Sequence, residues 1–331
     1  MVVTIVVSVL AALVLLGLAL SYTISLRLLY PPRQPIGRTP REYGMDYEDI
    51  EFRSADGIKL KGWFIPEPGT NSCNRVIVFV HAMSFNRHGW SAELYWGRMV
   101  HQPSVDFLPL IKALNKAGNS ILMFDLGNHG ESDARRMFGG GLNEYQDVAG
   151  AVEYVKSRHH QDPPQIGIIG VCGGANSTVI AMSKAKEALV NTRFLVLLQP
   201  ITPRTLVHGM MKAMFGFLGL ILVPALLQFY RWQGGYALEE MSPRNYAKDV
   251  EIPTLIVQAE ADTWTTLTDI TGIYGEVAGP KQLWLIEGKM KRFDTYLYFN
   301  SKPDRIIEFA REHFATPPGD RAVRAGSEEL V

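Results

Sequence analysis

The sequence has little cysteine: Cys73 and Cys172 are the only two in 331 residues. One pair is no framework for a domain of this length, and neither cysteine has a zinc-ligand spacing, so no disulfide scaffold and no zinc site are expected. Charge of one sign is not in excess either. Lys and Arg number 33 against 33 Asp and Glu, which removes the electrostatic case for nucleic acid as a partner. None of the 8 histidines has metal-ligand spacing, so no metal and no cofactor is expected. There is no internal repeat and no low-complexity tract. The length suits one large α/β domain or two small ones.

Charge is missing altogether from residue 2 to residue 26, a run made mostly of Val, Leu, Ala and Ile. At about 1.5 Å per helical residue it can cross a hydrocarbon core of about 30 Å. Residues 1–29 are therefore read as a single-pass membrane anchor, a helix standing clear of the core. Ala19-Leu20-Ser21 offers the alternative of a cleaved signal peptide, after which the domain would be exported. Against it, no Lys or Arg precedes the apolar run. Arg27, Arg33, Arg38 and Arg41 follow it, and positive flanks favour the cytoplasm, so the globular domain is expected on that side. Pro31-Pro32 and Pro35 make residues 30–46 a stiff, extended linker.

The stretch with the most chemical content is residues 165–181. Ile166, Ile168 and Ile169 lead into Gly170-Val171-Cys172-Gly173-Gly174, and a small-residue helix pattern follows. Strand, sharp turn and helix with Gly-x-Cys-x-Gly at the apex is the nucleophile-elbow spacing, with Cys in place of Ser. Small neighbours let strand and helix approach closely around a strained turn. The helix start directs unsatisfied N–H groups at Cys172, an arrangement that favours a thiolate. The Gly173 N–H then forms half of an oxyanion hole. Taken alone, the same spacing also fits a small buried cysteine in an ordinary strand–helix turn.

Strands are expected over residues 49–53, 58–65, 75–81, 120–125, 194–198, 253–258 and 281–286, with helices over 108–117, 144–158 and 303–314. The continuous apolar runs fit strands covered on both faces. Their alternation with helices means a mostly parallel sheet with right-handed crossovers.

Taken together, residues 48–314 resemble the α/β-hydrolase superfamily, with the landmarks in that family's chain order. His81-Ala82 stands where His-Gly often follows the third strand, and the resemblance makes the Met83 N–H the second oxyanion donor. Residues 125–132, D-L-G-N-H-G-E-S, resemble the segment D-x-R-G-H-G-x-S, with Gly127 and Asn128 replacing Arg-Gly. Asp262 matches the acidic triad member. The implied fold is an eight-stranded, mostly parallel sheet with helices on both faces. The domain is taken as residues 47–316, with a helical cap at about 202–243 and a flexible tail at 317–331.

The triad histidine that the resemblance calls for is missing. Lys291 or Arg292 stands in its place, and His313 is the only histidine after Asp262. Arg292 cannot act as a base, since it stays protonated. It can pair with Asp262. The other reading is that Lys291 and Arg292 are solvated loop charges. His81 and His129 match scaffold positions, and His88, just past the oxyanion loop, either approaches the cleft or, the preferred reading, serves at the surface. In the cap, residues 213–230 carry no charge. They are read as a buried helix pair broken near Pro224, with a face lying on lipid as the alternative. The function implied is hydrolysis of carboxylic esters or thioesters, or acyl transfer, by Cys172 supported by Asp262. The alternative is a non-catalytic protein that binds an apolar ligand or a protein partner through its cap.

Overall fold

The long apolar runs without turn residues pair into one sheet. In the computed structural model, which describes residues 1–69, 74–94, 102–158 and 163–315, this sheet has eight strands. They are β1 (Glu48–Arg53), β2 (Lys59–Ile65), β3 (Arg75–Val80), β4 (Ser120–Phe124), β5 (Gln165–Val171), β6 (Thr192–Leu198), β7 (Thr254–Ala259) and β8 (Lys281–Ile286). Their spatial order is β1-β2-β4-β3-β5-β6-β7-β8. β1 pairs antiparallel with β2, and β2 with β4, while every later pairing is parallel. Cys73 lies outside the described residues.

The central strands are buried on both faces, as their unbroken Val/Ile/Leu content requires. One face is covered by α2 (Leu108–Lys116), α7 (Arg292–Ser301) and α8 (Asp304–Ala315), which pack on Ile77, Phe79, Ile169 and Val196. The other is covered by α3 (Tyr145–Arg158), α4 (Gly173–Lys184) and α6 (Leu267–Glu276), on Val78, Val80, Ile168 and Leu195. β5 is central in this order, so its C-terminal turn opens at the middle of the sheet edge.

The structure corrects three sequence expectations. First, α1 (Val2–Leu29) is not wholly detached. Ile24 and Leu29 join a third apolar cluster with Val207, Met211, Val223 and Leu226 of the cap helix α5 (Pro203–Trp232). Second, α5 breaks at Gly216 (φ 61°, ψ −142°), not at Pro224, which sits inside the second half. The reversal needs a backbone conformation open to glycine, whereas an exposed proline costs only a local hydrogen bond. Nor is the cap buried throughout, since Phe217, Leu218 and Ile221 are exposed. Third, the segment of residues 30–46 is docked and only in part extended, since Pro40–Tyr43 forms a 3-10 turn closed by a left-handed Gly44. Asn86 Nδ2 donates to the carbonyls of Gln34 (3.1 Å) and Pro35 (2.8 Å), and Arg33 donates to Gly130 O (2.9 Å).

Candidate functional site

β5 ends at Val171, and the next residue, Cys172, has its backbone held at φ 53°, ψ −113°. A left-handed φ is strained for a side chain with a Cβ. The surroundings enforce it: Cys172 N donates to Leu198 O (2.9 Å), and Cys172 O accepts from Asn176 N (3.1 Å) in the first turn of α4. The flanking glycines are steric necessities. A Cβ on Gly174 would lie 2.3 Å from Val80 O, and one on Gly170 would lie 2.7 Å from Ala175 Cα.

The loop after β3 comes close to the elbow, and a Cβ on Gly173 would lie 3.5 Å from Met83 N. Among the described residues neither Met83 N nor Gly173 N has a backbone acceptor. Buried groups of the 125–132 segment hold this loop in place. Arg87, 4% exposed, forms an ion pair with Asp125, and its backbone N donates to Asp125 Oδ1 (2.7 Å). Ser84 N donates to His129 Nε2 (3.1 Å), and Leu126 N donates to His81 Nε2 (3.0 Å). Asn128 takes a left-handed φ of 68°, which asparagine tolerates better than most residues.

His81 and His129 are therefore scaffold groups. Burial pushes the His81 pKa down to about 4. Burial, then the neighbouring His81 ring at 5.2 Å, pushes His129 down to about 3. Both rings stay neutral in the folded protein, but in the unfolded chain they take up protons below about 6.5. Stability is fully present above that pH and is lost as pH falls toward 4. Glu144, pushed up to about 7 by burial, acts in the opposite direction, its contribution declining from about 4.5 to 7. Asp147, also raised by burial, acts on the same side as Glu144, so the loss from the two imidazoles is partly offset and is clearest at about pH 6. The melting temperature in detergent is expected to fall on acidification through that pH. A flat profile there would show that the two imidazoles are reached by water.

On the other side of the elbow lies a buried ion pair. Arg292 Nη2 donates to Asp262 Oδ2 at 2.5 Å and to Thr265 Oγ1 at 2.8 Å, and Arg292 Nη1 donates to Gln199 O at 2.8 Å and to Tyr296 Oη at 3.3 Å. The two side chains are 3% and 1% exposed. Asp262 also accepts from Trp264 N (2.8 Å) and Gln258 Nε2 (3.0 Å). Burial is the largest single influence and opposes the charge on Arg292, but the Asp262 carboxylate together with Tyr296 and Cys172 outweighs it, and the guanidinium pKa is raised. Tyr296 is pushed well above the usual phenol range by burial and then by the adjacent Cys172. Cys172 itself is 8% exposed and packs in the cluster containing Phe85, Phe293 and Tyr296.

In sequence, Lys291 and Arg292 are equal alternatives for the place beside Asp262. Arg292 is the inward one, while Lys291 caps α7, its N–H donating to Asp294 Oδ2 (3.0 Å). Helix α7 was not anticipated, although the spacing of Lys291 and Asp294 carries its capping signal. Tyr296 was missed with it. His88 lies 3.5 Å from Asp106 Oδ2, and His313 sits against Phe194 and Phe309. Among the described residues, no histidine hydrogen-bonds to Asp262. Nor do the described residues contain a cluster of His, Cys, Asp or Glu able to hold a metal.

The strand order, the elbow after β5, the loop after β3 and the acid after β7 define the α/β-hydrolase fold. Comparison with solved structures gives the same fold. The chain is similar to the Pyrococcus furiosus esterase Pf2001, with TM-score 0.65 and 22% identity over 87% of this chain and 98% of that one. It is also similar to the Pyrococcus horikoshii acylaminoacyl peptidase, with TM-score 0.57 and 18% identity over 83% of this chain and 43% of that one. In sequence it is 26% identical to the protein YfhR of Salmonella typhi over 283 residues, 85% of each chain. No family model matches the chain.

Proposed function

We propose that this protein is a membrane-anchored hydrolase or acyl-transfer enzyme acting on thioesters or activated esters through Cys172. The observation that carries this reading is the strained φ of Cys172 at the start of α4, beside the Met83 loop. A cysteine that only filled core volume would need neither the strain nor two unused N–H groups. The esterase and peptidase names of the structural neighbours support it. α1 is long and apolar enough to serve as the anchor, and Arg27, at its C-terminal end, favours placing the domain on the cytoplasmic side.

The chemistry follows from what stands beside Cys172. Its thiolate attacks the carbonyl carbon and forms the C–S bond. The carbonyl oxygen takes the electron pair and is stabilised by the N–H groups of Gly173 and Met83. Collapse re-forms the carbonyl and expels the leaving group, producing S-acyl-Cys172. An alkoxide needs a proton to leave, and Arg292 cannot supply one at neutral pH because it does not release it. A thiolate leaves without a proton, so exchange with a thioester needs no general acid. Release of the acyl group to water requires an activated water, and neither Arg292 nor Asp262, locked together, provides the base.

The expected result is a burst. Mixing the detergent-solubilised protein with an S-aryl thioester should release one arylthiol per chain, followed by slow turnover, with the acyl mass on Cys172. Cys172→Ala should show no burst. If wild type shows no S-acyl-Cys172 under these conditions, the catalytic reading fails. The non-catalytic reading, which the buried Asp262–Arg292 pair favours, then takes its place.

A further inference from the structure

The anchor and the cap form one helical unit. Along α1, a stripe of small residues, Gly17, Ser21 and Ser25, faces the second half of α5. A Cβ on Gly17 would lie 3.1 Å from Leu222 Cδ2, Ser21 Oγ donates to Leu222 O (3.4 Å), and Gln233 Nε2 donates to Ser25 Oγ (2.8 Å). The Tyr22 and Phe229 rings meet edge-on at 5.5 Å. Both residue numbers rise together along these contacts, so the helices run parallel. Small side chains on one helix let the two backbones approach closely.

This register sets depth. Carried along both helices, it places Phe217 beside about residue 12 of α1 and Ile221 beside about residue 16. A membrane span needs about 20 residues. Any such span drawn from the uncharged run of residues 2–26 contains residues 12–16. Phe217, Leu218 and Ile221 are 75%, 68% and 59% exposed. They continue the exposed apolar surface of α1, where Leu13 is 59% exposed and Leu16 65% exposed. Further down, the same face turns polar at Gln228 and Arg231, level with Arg27 of α1. Exposed Tyr22, Tyr30 and Trp232 lie at or near that level, as an interfacial belt requires. Lys212, exposed near the reversal, is a charge at that depth, and its stem carries the ammonium only part of the way to the headgroups, a cost the apolar contacts must offset.

We propose that the tip of the cap, Phe217, Leu218 and Ile221, lies in the acyl-chain region of the bilayer beside α1. This rests on the reading of α1 as an anchor. The base of the same unit packs next to the candidate site. A Cβ on Gly209 of the cap would lie 2.6 Å from Thr263 O, the carbonyl next to Asp262, and Phe138, 3.7 Å from a Cβ on Gly173, donates its backbone N–H to Leu29 O (2.8 Å). The candidate site is thereby held close to the end of α1 that would meet the membrane surface, where a long-chain acyl donor partitions.

The experiment uses the full chain in phosphatidylcholine vesicles, with Cys73→Ser and Cys172→Ala as the background. A nitroxide is attached in turn at Leu218→Cys and Ile221→Cys, with Leu13→Cys on α1 and Val190→Cys on the far surface as references. Relaxation by oxygen and by a water-soluble nickel chelate reports the surroundings of each label. Leu218 and Ile221 are expected to match Leu13, accessible to oxygen and shielded from nickel, while Val190 shows the reverse. If Leu13 reads as lipid but both cap labels are nickel-accessible, the cap proposal is overturned and the anchor stands. Cap labels shielded from both reagents would indicate a protein partner instead and also overturn it. Nickel access at Leu13 would overturn the anchor, and the proposal with it.

Discussion

Asp262→Ala is expected to destabilise the protein by about 3–5 kcal/mol, the cost of leaving one member of a buried ion pair without its partner. The Arg292 side chain is 3% exposed and cannot relieve its position by losing a proton. Its remaining partners, Gln199 O, Thr265 Oγ1 and Tyr296 Oη, are neutral. The substitution also strips Trp264 N of its acceptor, while Gln258 Nε2 keeps the carbonyls of Ala259 and Thr265. Replacing both charges, as Asp262→Leu with Arg292→Met, should come much closer to wild type, because apolar pairs often substitute for buried ion pairs at little cost. Denaturant titration in detergent of wild type, Asp262→Leu, Arg292→Met and the double variant gives the cycle, with Asp262→Ala titrated beside them. A single-mutant loss below about 1 kcal/mol, the scale of exposed pairs, would mean that water reaches the pair.

Arg292→His is the companion result for chemistry. The substitution puts an imidazole on the residue whose side chain now contacts Asp262 and is electrostatically coupled to Cys172. With Asp262 orienting it, an imidazole can take a proton from the thiol and later from water, the step that Arg292 cannot perform. General acid–base catalysis contributes about 10²–10⁴-fold, and steady thioester turnover is expected to rise within that range while the burst amplitude stays at one per chain. The variant should also be less stable than wild type, since a shorter ring with at most two N–H donors cannot serve Gln199 O, Thr265 and Tyr296 together. Unchanged turnover, in a variant shown to be folded and still acylated at Cys172, would mean that position 292 does not face the reacting atoms. Fast turnover already in wild type would mean that a different base operates.

The sheet was legible because its strands are local statements. β3, β5 and β7 are short apolar runs ended by Gly, His or Asp, and their alternation with helices admits few topologies. The elbow was legible for a related reason: Gly170 and Gly174 face backbone at 2.7 Å and 2.3 Å, so steric need writes itself as glycine at fixed spacing. The third part of the site lies far along the chain. Arg292 meets Asp262 only because β7 and β8 are neighbours and α7 starts just past the edge they share. Nothing within a window around Lys291-Arg292 distinguishes a buried cation from a solvated one.

The helical unit of α1 and the cap divides the same way. The sequence by itself determined that residues 2–26 could span a bilayer, because length and absence of charge are properties of the run alone. It also determined the order of the landmarks that resemble the α/β-hydrolase superfamily. Only the tertiary structure decided that α1 lies parallel to the second cap helix and that α5 reverses at Gly216. An all-apolar helix has no polar face to mark which side is taken, so its partner is chosen by fit between small and large side chains. The pairing of Arg292 with Asp262 was decided at the same level, because a buried charge depends on the groups the fold brings around it and not on its neighbours in the chain.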